Sequence, residues 1–313
     1  MAGLSPAPAG SPHHIRLTLA PPPGFNFWRT AFSHGWCALL PFIHDPATET
    51  LERTLELPDG MLVHTELRAA PKGISVSAQS STPFTASARR AILGQIRTCL
   101  RLDENLEGFY CEADRHPRYR WIRKAGAGRM LRAPTAFEDA VKIICTTNCT
   151  WALTTIMVTN LVRAAGRTTD GVRYAFPAPE ALASLSERDL RLRCTTGYRA
   201  PYIRELARRV ASGELTIEGW RSSPLTTEEL DREMRNVKGM GPYAVGNMLR
   251  LVGRCDSLAL DTWVRGQFFR IHKKGRRVSD AVIQRHYAPY GSWRGLFFWL
   301  EMTRAWHDGK FKL

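Results

Sequence analysis

At 313 residues the chain can hold one large domain or two ordinary ones around a well-buried core, and its 44% hydrophobic content fits a globular protein rather than a disordered one. A net charge of +15, carried mostly by arginine, points to a polyanionic partner, nucleic acid before membrane, because no basic amphipathic helix dominates. Seven cysteines without CxxC spacing argue for reduced thiols and a cytoplasmic setting, and no apolar run approaches membrane-spanning length.

In chain order, residues 1–14 are rich in Pro, Ala, Gly and Ser, lack the regions of a signal peptide, and read as a disordered tail. Ile15 to Leu19 alternates and predicts a strand, which Pro21 to Gly24 breaks. A short helix or turn is expected through Trp36. Three alternating segments follow, Thr54 to Leu57, Met61 to Ala69 and Gly73 to Ala78, separated by Pro58-Asp59-Gly60 and Pro71-Lys72-Gly73, the pattern of an antiparallel meander. With a helix at Ser87 to Arg101, residues 15–104 read as a small sheet domain. From residue 105 to 313 helical patterns take over. Thr135 with Glu138 three residues on forms a capping-box pattern ahead of one helix, Thr150 to Ala165 is another, and Pro179 to Leu185 and Ile203 to Ser212 follow. Ser279 to Trp306 reads as continuous helix, with Trp293, Phe297 and Leu300 on one face.

The densest pattern is Thr227 to Phe268. Leu230, Met234 and Val237 stand at helical spacing after Thr227, the expected N-cap. Lys238-Gly239-Met240-Gly241-Pro242 then reads as a tight turn, because glycine permits φ > 0 and proline suits the first helical position. Ala244, Val245, Met248, Leu249 and Val252 continue as one apolar face. The unit is a helix-hairpin-helix at 228–252, whose backbone N–H groups at a helix N-terminus offer a phosphate site. Leu258-Ala259-Leu260 leads to Asp261, which on this pattern is equally an ordinary N-cap of the next helix or a placed carboxylate.

V-K-G-M-G-P-Y-A at 237–244, followed by L-A-L-D-T at 258–262, resembles the helix-hairpin-helix (HhH-GPD) DNA glycosylase superfamily. L-R-L-D-E-N-L at 100–106, R-M-L-R-A-P-T at 129–135, I-C-T-T-N at 144–148 and G-Y-R-A-P-Y at 197–202 resemble its oxoguanine-glycosylase branch in matching order. R-H-Y-A-P-Y-G-S-W-R-G at 285–295 resembles that branch and the bacterial 3-methyladenine (alkylpurine) glycosylases about equally. With G-F-N-F-W at 24–28, the similarity spans residues 15 to 305. It implies an α+β fold, a small N-terminal antiparallel β-sheet domain on a mostly α-helical glycosylase core. The implied function is a DNA N-glycosylase of base excision repair that flips an alkylated or oxidised base and hydrolyses its N-glycosidic bond. Double-stranded DNA holding a damaged base is the implied partner of a monomeric, cytoplasmic, nucleoid-associated protein. The alternatives are a bifunctional oxoguanine-type glycosylase/AP lyase, or a non-catalytic helix-hairpin-helix binder of lesions or DNA structures.

The resemblance also assigns roles. Asp261 is the catalytic carboxylate, whose charge would stabilise the oxocarbenium-like sugar and orient water. Tyr243 stands where bifunctional relatives carry a Schiff-base lysine, and a phenol forms no imine, which favours a monofunctional enzyme. Lys238, Gly239, Met240 and Gly241 would meet a DNA phosphate. Tyr198 would wedge into the base stack, Arg199 read the unpaired base, and Asn148 fill the vacated space. Tyr243, Trp293, Trp299, Asn247 and Phe27 are expected in the lesion pocket, with Phe25, Trp28, Trp151 and Trp263 as further candidate walls. Trp293 matches an aromatic of the alkylpurine branch, and a tryptophan-rich pocket would suit electron-poor alkylpurines. Gly295 stands where oxoguanine enzymes carry a base-reading glutamine. No cofactor is required. Backbone carbonyls of Val237 and Met240 are expected to hold a structural sodium or potassium ion, and with no cysteine after Cys255 no iron–sulfur cluster is expected.

Overall fold

The computed structural model describes residues 12–307. Most of the expected tail, residues 1–11, lies outside them, and His13 and His14 already belong to the first strand. Five strands form one antiparallel sheet in the order β1-β5-β4-β3-β2: β1 His13–Leu19, β2 Phe42–Asp45, β3 Thr50–Glu56, β4 Leu62–Ala70 and β5 Gly73–Ser80. In β5 the alternation is clean, with Ile74, Val76 and Ala78 inward. The sheet holds β2 in addition to the expected strands, and β3 starts four residues early, at Thr50. The reason is burial of Arg53 and Thr54 on β3, which hides the period-two pattern.

Arg53 can be buried because Glu138 meets it, Arg53 Nη1 donating to Glu138 Oε1 at 3.0 Å, and Lys142 closes on the same carboxylate at 2.7 Å. Among the described residues ten helices have eight residues or more: α1 Ala86–Leu100, α2 Glu107–Asp114, α3 Ala136–Thr146, α4 Trp151–Ala165, α5 Ala200–Ala211, α6 Thr227–Arg235, α7 Pro242–Leu251, α8 Thr262–His272, α9 Asp280–Tyr287 and α10 Arg294–Met302. Thr135 caps α3 as expected, its hydroxyl accepting Glu138 N–H at 3.3 Å. Thr226, not Thr227, caps α6, in a reciprocal box with Glu229. The continuous helix expected over 279–306 is broken between α9 and α10, where Gly291 takes φ 53° shortly after Pro289.

Two hydrophobic cores result. The larger joins the sheet to α1 and α3–α7; the smaller packs residues 106–127 against residues 255–302, with Phe109, Tyr119, Phe268, Tyr287 and Phe297 at its centre. Trp299 packs against both. The candidate site opens where they meet. No helix among the described residues is long and apolar enough to cross a membrane.

Candidate functional site

The turn between α6 and α7 has the geometry its residues require. Gly239 sits at φ 87°, and a Cβ there would lie 3.0 Å from the Tyr202 side chain of α5. Met240 is buried beneath the turn and donates N–H to the Val237 carbonyl at 3.0 Å. Gly241 ends the turn as the N-cap of α7, with Pro242 first in the helix and no side chain capping its amides. Those amides, Lys238 and Gly239 border a cleft of about 990 Å³, whose other walls include Tyr198, Asn148, Tyr202, Asp261 and Arg265. Lys238 Nζ is paired with Glu205 at 2.7 Å on this rim.

Behind the cleft lies an inner pocket of about 420 Å³, within the usual size range for a small-molecule site. Thr146, Cys149, Tyr243, Asp261 and Trp263 line both spaces and so form the neck between them. Asp261 caps α8, Oδ1 accepting Val264 N–H at 2.8 Å. Oδ2 accepts no hydrogen bond among the described residues. Capping therefore fixes the carboxylate and leaves one oxygen for other work. Burial pushes the Tyr243 phenol up, and Asp261 adds to this against a hydrogen bond from Thr146. Asn247 lines the pocket, its amide donating to the Tyr243 carbonyl at 2.9 Å.

Four tryptophans stand close in the pocket wall besides Trp36: Trp299, Trp263, Trp306 and Trp151. Trp263 and Trp306 ring centroids are 5.3 Å apart, and Trp299 is held by Nε1–H donation to the Ser33 carbonyl at 3.0 Å. Trp151 lies over Gly35, where a Cβ would collide with its ring.

Several expected placements are corrected. Trp293 lines neither space; it lies 5.4 Å from Phe109 in the smaller core, because as the N-cap of α10 it stands six residues before Trp299, on a different face of the helix. Phe27 is buried in the larger core beside Trp28, on a short helix (Phe27–Ala31) whose inner face packs toward the sheet. Phe25 and Trp28 likewise pack against that core. Gly295 is absent from the pocket too, and any side chain there would strike the Ser257 carbonyl. Arg199 is buried, bonded to the Thr147 carbonyl and hydroxyl, so its guanidinium does not face the cleft. Tyr198 and Asn148 do meet at the cleft, amide to phenol at 3.5 Å, with Asn148 in the left-handed region at φ 46°.

Sequence reasoning missed Arg250, His34, Trp36, Thr146, Cys149 and Trp306. Arg250 interrupts the apolar run Met248-Leu249-Arg250-Leu251, a legible anomaly; His34 sits in an irregular segment with no periodic signal. Burial is the chief cause that lowers the Arg250 guanidinium to about 10 and the His34 imidazole to about 3. Elsewhere, His272, His286 and Glu301 place ligand atoms within 4.8 Å of one another, the one such group among the described residues. Glu301 there already accepts the Tyr119 and Tyr287 hydroxyls at 2.8 and 2.6 Å and pairs with Arg118.

Residues 141–288 match the sequence pattern of HhH-GPD superfamily base excision DNA repair proteins. YfjP of Bacillus subtilis strain 168, a provisionally assigned DNA-3-methyladenine glycosylase, is 27% identical over 144 residues, 44% of this chain. That alignment spans only 49% of the relative's own length. The 3-methyladenine DNA glycosylase of Archaeoglobus fulgidus superposes with a TM-score of 0.71 at 20% identity, over 92% of this chain and 98% of that one. The Clostridium acetobutylicum 8-oxoguanine glycosylase/lyase, in complex with double-stranded DNA containing cytosine opposite 8-oxoguanine, superposes with a TM-score of 0.66 at 20% identity, covering 91% and 93%.

Proposed function

With residues 141–288 matching the HhH-GPD superfamily of base excision DNA repair proteins as the premise, we propose that this protein is a monofunctional DNA N-glycosylase acting on double-stranded DNA that contains a damaged base. The observation that carries the reading is the neck. A base extruded into the inner pocket leaves its sugar between the two spaces, beside Asp261, while the flanking strand lies in the outer cleft. There the free Asp261 oxygen stabilises positive charge developing on the sugar and orients a water for attack at C1′. Tyr198 is half exposed on the cleft and supplies the wedge, with Asn148 beside it. The helix-start amides of α7 and Lys238 hold the backbone phosphate, supported by the +15 charge of the chain. A sodium or potassium ion would sit on the hard carbonyl oxygens of Val237 and Met240 and brace the turn; the Val237 oxygen keeps one lone pair beyond its bond to Met240 N–H.

The side chains at the neck support hydrolysis rather than lyase chemistry. No lysine lines the inner pocket, and the position facing the sugar is Tyr243. Lys238 stands on the outer rim, engaged with Glu205. One experiment tests both halves. In single-lesion duplexes scored for abasic sites, Asp261→Asn should stop base release while duplex affinity holds or rises, since asparagine still caps α8. Borohydride added during wild-type turnover should trap no protein–DNA adduct. Undiminished release by the variant reduces Asp261 to a cap, and an efficient adduct makes the enzyme a lyase.

A further inference from the structure

We propose that the inner pocket takes neutral nucleobases bearing hydrogen-bond acceptors and turns away cationic ones, with Arg250 and His34 as the residues that select. The proposal rests on the glycosylase reading and names its substrate class.

Arg250 is only 2% exposed, yet no carboxylate is bonded to it, and its Nε and Nη2 have no hydrogen-bond partner. A buried guanidinium in that state is costly unless something else supplies acceptors. The residue lines the pocket. Its guanidinium carbon stands 4.5 Å over the Trp299 ring, so that face of the pocket's fixed tryptophan already holds a cation. His34 lines the same pocket at 8% exposure. Its Nδ1 is 3.1 Å from the Ser33 hydroxyl, which accepts Leu131 N–H at 2.9 Å. The Ser33 hydroxyl has no other acceptor among the described residues, so its proton is assigned to Nδ1, which puts the ring's own hydrogen on Nε2, where it has no partner. Burial beside Arg250 keeps this ring neutral at physiological pH.

The pocket therefore offers donors in excess. Its one acid is Asp261, and that stands at the neck where the sugar belongs. A neutral base with a carbonyl oxygen or ring nitrogen supplies what Arg250 and His34 lack. An N-alkylated purine cation meets the Arg250 charge instead, and finds the Trp299 face taken. This reverses the alkylpurine preference expected from a tryptophan-rich wall, because the wall carries its own cation.

The test is single-turnover base release by the full chain from duplexes holding one hypoxanthine, 8-oxoguanine, unsubstituted purine or 7-methylguanine. The faster of the two neutral oxo-bases should leave about ten- to a hundred-fold faster than purine, which lacks the oxygen. It should also outrun 7-methylguanine, although the cationic base has the intrinsically weaker glycosidic bond. Arg250→Met, similar in length and uncharged, should shrink the oxo-base to 7-methylguanine ratio about ten-fold or more. Should that variant fail to fold, the wild-type order decides alone. Faster release of 7-methylguanine than of either oxo-base by the wild type, or an unchanged ratio in folded Arg250→Met, overturns the proposal while leaving the glycosylase reading intact. Release of no base from bound duplex overturns both.

Discussion

Arg199 and Tyr198 are neighbours in the chain and in contact, the Arg199 guanidinium carbon 4.4 Å over the Tyr198 ring, yet they differ sharply in exposure. Tyr198 is 48% exposed on the cleft, whereas Arg199 is 4% exposed and spends its donors on Thr147 and the Met157 sulfur. Its guanidinium ties the segment after α3 to the start of α5, so it positions Tyr198 and Asn148 rather than reading a base. Arg199→Met should therefore lower unfolding free energy by about 1–3 kcal/mol in a denaturant titration, since the partly buried Thr147 carbonyl and hydroxyl lose their charged donor. The relative excision of one lesion opposite each of the four bases should stay as in the wild type. A shifted opposite-base preference at undiminished stability would give Arg199 back the reading role.

At the scale of elements, the turn between α6 and α7 works because its parts are held from outside as well as by glycine. Tyr202 of α5 lies against Gly239, Met240 anchors the turn in the larger core, and Glu205 of the same α5 holds Lys238. The Lys238–Glu205 pair is exposed, 67% and 29%, and such a pair contributes about 0–1 kcal/mol to stability. Its greater effect is to occupy the lysine. Glu205→Gln should leave the melting temperature nearly unchanged, tighten binding to any duplex, and steepen the slope of log K against log salt by up to about 0.9. A fluorescence-anisotropy salt series measures this, and an unaltered slope would mean that Lys238 meets no phosphate.

Across the whole molecule, the site occupies the seam between two cores, and titratable groups are buried both at the site, as His34, and at the sheet, as His64 and Glu138. Burial holds His34 at about 3 and His64 at about 4, against an ordinary 6.5, the latter despite Glu52 at 3.3 Å. The unfolded chain protonates both imidazoles as pH falls through 6.5, and the folded chain resists until near 4 or below. Protons are then bound preferentially by the unfolded state, so stability is complete above about pH 6.5 and is lost as pH falls toward 4. Glu138, desolvated yet held below its ordinary value by Arg53 and Lys142, extends the loss to lower pH. Urea midpoints should drop between pH 7.5 and 5 by the equivalent of a few kcal/mol. A midpoint that stays level or rises would show these imidazoles to be solvated.

What the sequence determined by itself is local or close to local. Glycine and proline at 239–242 leave the backbone few choices, Asp261 before a helix must cap it, and alternation along β5 specifies a face; each follows from residues within a turn of one another. The turn, the capping carboxylate and the sheet-plus-helix class were therefore readable. The pocket was not, because it is assembled from segments far apart in the chain, with His34, Thr146, Arg250 and Trp299 converging from four of them. Which tryptophan faces the pocket was decided by packing around α10: Trp293, its N-cap, lies against Phe109 in the smaller core, while Trp299, six residues on and on another face of the helix, bonds to Ser33. Charge was decided the same way. Arg53 and Arg250 are both buried, but only packing bonds Glu138 to the first and no carboxylate to the second. An arginine's partner is a matter of tertiary distance, and that is where the character of this pocket is set.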